Sequence, residues 1–185
     1  PVDVRDAEAF GGFIEEIYES YGRLDGVIHG AGVIEDKLIQ SKTPESFDRV
    51  FDTKVDSAFV LSRKLRPESL KFLVFFSSVS GRFGNRGQGD YAAANEVLNK
   101  IAVCLDRTWP ARVVAINWGP WDTEGMVSPE VRKQFAERGV ELISPAAGLL
   151  RLEEELKYGC RGEAEIVIGG GTWHQFAPLR PACAH

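Results

Sequence analysis

The chain has 185 residues, of which 44% are hydrophobic and 26% charged, with a formal net charge of −5; this is enough for one domain with a substantial core and ordinary globular composition. The acidic balance carries no electrostatic footprint for nucleic acid, and no basic run suits an anionic membrane. The longest strongly apolar run, 72–76, is far too short to cross a bilayer, and no charged-then-apolar leader opens the chain.

In chain order, the pattern alternates helix and strand. Residues 6–21 read as a helix with Phe10, Ile14, Ile17 and Tyr18 on one stripe. A short strand, 26–29, ends in Gly30-Ala31-Gly32. Thr43 as cap and Pro44 in the first turn start a helix that runs to about Leu65. Residues 72–77 form a buried strand closing on Ser77-Ser78, and 90–107 a helix. A third strand, 113–117, is stopped by Gly119-Pro120. Helices over 129–138 and 145–158 and a last strand over 166–168 follow. The chain opens at the trailing end of a strand, Pro1 to Val4, and the stretch after Gly171 reads as linker or tail, 172–185. Continuously apolar strands separated by helices of this length predict parallel βαβ units, an α/β sheet whose chemistry sits at the carboxyl ends of its strands.

The chemically suggestive residues fall at those ends. Tyr91 and Asn95 lie four apart near the start of a helix and share a face. They follow the strand that ends in Ser77-Ser78, so a phenol stands close to a hydroxyl, an arrangement suited to protonating an oxygen. Lys54 lies on the apolar stripe of its helix with Phe47, Val50, Phe51, Val55 and Ala58. Two readings stand for it: a stem that covers apolar surface while the amine reaches water, or an ammonium aimed into an active site. Cys104, Cys160 and Cys183 are scattered and odd in number, which fits a reduced, cytoplasmic protein and no metal-like spacing. His29, His174 and His185 are equally dispersed, so no metal site is expected.

Four ordered motifs together carry a resemblance: Lys54-Val55-Asp56-Ser57-Ala58, then Phe76-Ser77-Ser78-Val79-Ser80-Gly81, then Tyr91-Ala92-Ala93-Ala94-Asn95, then Asn117-Trp118-Gly119-Pro120-Trp121. The chain resembles the short-chain dehydrogenase/reductase superfamily. More narrowly, it resembles the ketoreductase domains of polyketide synthases and multifunctional fatty-acid synthases. Most of that superfamily carries Tyr-x-x-x-Lys; this branch places the lysine on the earlier helix and asparagine after the tyrosine, as here. The thirteen-residue interval to Tyr91 selects Ser78 over Ser77.

The resemblance implies a partial Rossmann-like, doubly wound parallel sheet over 1–171, lacking its first strands and their Gly-rich turn. It implies NADPH-dependent reduction of a β-ketoacyl thioester held on an acyl carrier protein, among neighbouring synthase domains. Tyr91 would be the general acid, Lys54 the cation beside it and a contact for the nicotinamide ribose, Ser78 the hydrogen-bond donor to the carbonyl, and Asn95 an orienter of Lys54 or of a water relay. Asp3 and Val4 resemble the pair that meets the adenine. Gly30, Ala31 and Gly32 resemble the loop at the adenine-side ribose, and Gly119, Pro120 and Trp121 would flank the nicotinamide. Determinants of the 2′-phosphate would lie in the lacking half.

Ile34-Glu35-Asp36 keeps the final aspartate of the motif found in ketoreductases that give the D-configured alcohol. Phe83 stands where the opposite class has tryptophan. Asp36, Phe83 and Gln88 are therefore the candidates for substrate and stereochemical control, and the D product is expected. A substrate lid is expected at about 122–145, with Gly125, Gly139 and Pro145 as hinges. Two other readings stay open. One is a catalytically incomplete half-domain acting as a structural or interaction module, whose strand ending at His29 would offer an open edge to the lacking half or to another chain. The other is a stand-alone reductase on free or coenzyme-A-linked substrates, against which the lysine–asparagine exchange argues.

Overall fold

In the computed structural model, residues 2–122, 129–137 and 139–171 are described. Helix α1, Ala7–Tyr21, is capped by Asp6, whose carboxylate accepts the N–H groups of Glu8 and Ala9 at 3.1 and 3.0 Å. It ends at Gly22, whose φ of +76° is the left-handed conformation glycine adopts without a Cβ penalty. Strand β1, Gly26–His29, leads through a long loop to α2, Pro44–Lys64. Thr43 caps α2 as the sequence predicts, accepting the Ser46 N–H at 3.2 Å.

Strand β2, Phe72–Ser78, passes directly into a short helix α3, Val79–Phe83, and then α4, Gly89–Thr108. Strand β3, Arg112–Trp118, is followed by α5, Pro129–Glu137, β4, Val140–Glu141, α6, Pro145–Tyr158, β5, Glu165–Ile168, and β6, Gly170–Gly171. The four longer strands form one parallel sheet in the order β1-β2-β3-β5. This is the α/β fold that the pattern predicts.

Alternation along the central strands divides the core. Leu73 and Phe75 of β2 and Val113 and Ala115 of β3 face α1, α2 and α4, where Ile14, Tyr18, Ala58, Leu61, Leu98 and Ala102 complete one buried cluster. Val74, Val114, Ile116 and Trp118 point to the other face, against Ile143 and Leu152. Residues pointing alternately to two apolar layers explain the continuous apolar runs 72–76 and 113–116 in these strands.

Three features depart from expectation. Asp3 and Val4 lie in turn and irregular backbone, not at the end of a strand, because Asp3 folds back to cap its own turn: its carbonyl accepts the Asp6 N–H at 3.1 Å. Helix α3 stands in a stretch to which the sequence pattern assigns no element; Ser78 Oγ accepts the Ser80 N–H at 3.1 Å and so starts it. The antiparallel β4–β6 pair is also unexpected, its two residues per strand giving no period to detect. Of the expected lid, 123–128 and 138 lie outside the described residues, as does the tail 172–185; the expected hinge Gly125 is among them.

Leu98 is fully buried between α4 and the sheet. Leu98→Ala is expected to cost about 2–5 kcal/mol, read as a lower urea midpoint at unchanged slope; a loss under ~0.5 kcal/mol would contradict this packing of α4.

Candidate active site

The carboxyl ends of β1, β2 and β3 open onto one cavity of about 810 Å³, within the range of small-molecule and cofactor sites. Ten of the sequence-nominated residues line it: Gly30, Gly32, Lys54, Ser78, Phe83, Gln88, Tyr91, Gly119, Pro120 and Trp121. The parallel register of β2 and β3 sets Ser78 beside Trp118, so one strand ends in a hydroxyl and its neighbour in an indole. Phe135 and Val140, from the segment expected to form a lid, complete the wall.

Lys54 is buried, at 3% exposure, which rejects the reading of an amine that reaches water. Its Nζ donates to the Phe76 carbonyl at 3.0 Å and lies 5.6 Å from the centre of the Tyr91 ring. Burial pulls its pKa down from 10.5 to about 8, because the low-dielectric interior disfavours the charged form. A Cβ on Gly32 would stand 2.9 Å from Lys54 Cε, so a larger residue there would push the end of the lysine side chain aside. Beneath it, His29 is buried with Nε2 2.6 Å from Ser57 Oγ. Burial, and then the Lys54 charge, hold its pKa at about 4.

Tyr91 stands in the first turn of α4. Burial raises its pKa above 10, Asn95 and Ser78 oppose that by hydrogen bonding, and the Asp36 charge adds to it. The phenol is therefore a protonated acid at neutral pH. Ser78 Oγ already accepts the Ser80 N–H at 3.1 Å, leaving the hydroxyl proton for another acceptor.

Asn95 is wholly buried, its amide nitrogen donates back to the Tyr91 carbonyl at 2.7 Å, and its Oδ1 has no hydrogen-bond partner among the described residues. That bond lies within its own helix, the i to i−4 return that polar side chains make to the preceding turn. Ala31 does not line the cavity, and neither do Asp3 and Val4. Asp3 is paired with Arg5 at 2.7 Å, which brings its carboxyl down to about 2. Asp36 reaches the site through Gln88, whose Nε2 donates to it at 2.9 Å.

Ser80 is a site residue that the sequence does not nominate. Its Oγ donates to Gln88 Oε1 at 2.7 Å, linking Gln88 to the Ser78 turn. Its place two residues after a strand-end serine is the only signal available for it. Among the described residues no group of acidic, histidine and cysteine side chains could hold a metal ion, and no helix is long and apolar enough to cross a membrane.

Known proteins share this arrangement of chain. The family model of the KR domain matches residues 1–123. The chain is 44% identical over 166 residues to a polyunsaturated fatty acid synthase of Thraustochytrium sp., covering 90% of this chain and 5% of that protein. It is 31% identical over 152 residues to polyketide synthase PksN of Bacillus subtilis, covering 82% of this chain and 3% of that protein. Among solved structures, it is similar to PlmKR1, the ketoreductase from the first module of phoslactomycin biosynthesis in Streptomyces sp. HK803, with a TM-score of 0.83 and 31% identity over 95% of this chain and 40% of that one. A ketoreductase domain from the bacillaene assembly line gives a TM-score of 0.81 and 31% identity, over 94% of this chain and 43% of that one. The chain thus spans a small part of the two synthases and less than half of either solved ketoreductase.

The buried ammonium makes a prediction about stability. Lys54 is charged in the unfolded chain up to about pH 10.5 and in the folded one up to about 8, so its burial penalty is full below pH 8 and fades as pH rises through that window. Lys54→Met should therefore raise stability more at pH 7 than at pH 10, by up to roughly 3 kcal/mol. Urea unfolding of both proteins at the two pH values checks this; an equal difference at both would place the amine in water.

Proposed function

The chain belongs to the KR domain family, and on that premise we propose that it carries the reacting groups of a ketoreductase within a larger synthase. The reaction is reduction of a β-ketoacyl thioester, held on an acyl carrier protein by phosphopantetheine, to the β-hydroxyacyl thioester. The observation that carries the reading is the convergence of Lys54, Ser78 and Tyr91 on one cavity at the carboxyl ends of the parallel strands. Residues 1–171 would be part of the ketoreductase domain, with the lid at about 122–145, and 172–185 a linker.

The residues fit a nicotinamide cofactor, and we assign NADPH. A Cβ on Gly30 would meet nothing within 4 Å, so the backbone there is open to the cavity. Trp118 Nε1 is buried without a partner among the lining residues. Lys54 and Tyr91 would hold the nicotinamide ribose, Gly30 and Gly32 would meet the adenine-side ribose, and Gly119, Pro120 and Trp121 would flank the ring. Ala31, Asp3 and Val4 are assigned toward the adenine, outside this cavity. When bound, the reduced cofactor supplies the hydride.

The chain's own groups handle the oxygen. As negative charge gathers on the ketone oxygen, Ser78 donates its hydroxyl proton in a hydrogen bond, stabilising that charge. Tyr91 transfers its phenolic proton to the same oxygen, and the new O–H bond completes the alcohol. The phenolate left behind is stabilised by the Lys54 ammonium. Asn95 Oδ1, buried and unpartnered, is an open acceptor for the water that would reprotonate Tyr91. Asp36, Gln88 and Phe83 are assigned to orienting the substrate, with the D-configured alcohol as product.

The competing reading, an interaction module, draws on β1, which pairs with β2 alone among the described residues and leaves Ile28 half exposed. Activity separates the two. In the full-length protein, NADPH oxidation with a β-ketoacyl thioester should fall at least ~10²-fold in Tyr91→Phe and ~10²- to 10³-fold in Ser78→Ala. Retention of most activity by Tyr91→Phe would refute the acid assignment, and a mainly L alcohol on chiral analysis would refute the stereochemical one.

A further inference from the structure

The loop between β1 and α2 is fastened to the start of α4 by a buried ion pair that the reaction above does not use. Lys42 Nζ contacts the Asp90 carboxylate, and each side chain keeps only 2% exposure. The same ammonium donates to the Glu35 carbonyl at 2.6 Å. The other Asp90 oxygen accepts the Tyr91 N–H at 2.9 Å. An unbroken series of contacts therefore runs from the Glu35 backbone through Lys42 and Asp90 to the backbone of Tyr91.

A second series runs beside it. Asp36 accepts from Gln88, Gln88 accepts from Ser80, and the Ser80 N–H is bound by Ser78 Oγ. Consecutive loop residues, Glu35 and Asp36, are thus tied by independent bonds to residues 90 and 88, on either side of the turn that introduces Tyr91. One series ends on the backbone of Tyr91 and the other on the Ser78 hydroxyl.

Burying two charges costs desolvation that a pair of this kind offsets only partly, and apolar residues of similar volume often serve stability as well or better. The pair's distinctive contribution is a single geometry, since it has one lysine, one carboxylate and one carbonyl to satisfy. That matters here because the loop's own regular structure is one turn of 3-10 helix, Ile39–Ser41, while its Ile34 lines the cavity.

We infer that Lys42 and Asp90 are positioning residues that lock the 33–42 loop onto the Tyr91 helix, so that the acyl chain meets one fixed wall and the ketone is held with one face toward reduction. The inference rests on the ketoreductase reading for its consequence, though not for the clamp itself.

Removing one partner alone would strand a buried charge and threaten the fold. The test therefore uses Lys42→Met combined with Asp90→Asn, which removes both charges and the bond to Glu35 but keeps an oxygen for the Tyr91 N–H. Two measurements are made on the full-length protein and this double variant. Hydrogen exchange of amides 33–42 should quicken at least ~10-fold while β2 and β3 keep their protection. With a β-ketoacyl thioester, KM should rise about 10-fold with kcat within about threefold, and the minor enantiomer should increase. Unchanged exchange would overturn the clamp. Faster exchange with unchanged KM and product ratio would overturn its role in positioning substrate. If the parent protein reduces no thioester yet the variant's loop exchanges faster, the clamp stands and the ketoreductase reading fails.

Discussion

The site depends on how α4 is seated across the ends of β2 and β3, and a small buried polar cluster sets that seat. Asn117 Oδ1 accepts from Ser77 Oγ at 3.2 Å and from Asn99 Nδ2 at 3.0 Å, and its own amide donates to the Ile166 carbonyl at 3.2 Å. Ser77 Oγ also lies 3.1 Å from the Asn95 carbonyl. Two strands, α4 and the neighbouring β5 are thus joined by directional bonds at the level where the cavity begins. Apolar packing through Leu98 and Ala102 holds α4 on the sheet, but it is tolerant of small slides and rotations. Buried hydrogen bonds are not, because each lost partner leaves an unsatisfied group in a dry interior. Ser77, which the interval to Tyr91 sets aside, therefore fixes the geometry, while its neighbour Ser78 faces the cavity.

Electrostatics follows from that geometry. Tyr91 and Lys54 are both pushed toward their neutral forms by burial, so neither is prepared in isolation. A phenol raised in pKa is a reluctant acid and an ammonium lowered in pKa is a marginal cation. In the proposed reaction they would complement one another as charge moves: the phenolate formed by proton transfer would be the counter-charge of the buried ammonium. A site of that kind would stabilise the separated charges more than the resting state, which is what transition-state complementarity requires. His29 is kept neutral beneath them, so it adds no second positive charge to the same small volume.

Much of this is legible in the residues, and the reasons differ by kind. The strands at 26–29, 72–78 and 112–118 and the helices α1, α2 and α4 match their predicted bounds within about a residue, because a cap such as Thr43 and uninterrupted apolar runs are local signals. Lys54 is legible as a charge on an apolar stripe. What escapes are side-chain pairings made between elements: Lys42 with Asp90, Ser80 with Gln88, Asn99 with Asn117. Lys42, Asp90, Asn99 and Asn117 carry no local signal of burial, and only the meeting of elements buries them. Asn95 is legible as to its helix but not as to its partner, since an amide four residues after a carbonyl can always turn back to it.

The division of the proposed reacting groups between two helices has a consequence of its own. In a Tyr-x-x-x-Lys arrangement both groups ride on one helix, and their separation is set by helical geometry alone. Here Lys54 belongs to α2 and Tyr91 to α4, so their separation is a property of how the two helices pack. Gly32 enters the same account, because the loop after β1 passes against the end of the lysine side chain, which a Cβ there would push aside. The phenol–ammonium distance is thereby made sensitive to anything that moves the β1–α2 loop or the α2–α4 contact. Tertiary bonds accordingly hold the Tyr91 helix from two sides, from Lys42 on one and from the Asn99–Asn117 cluster on the other.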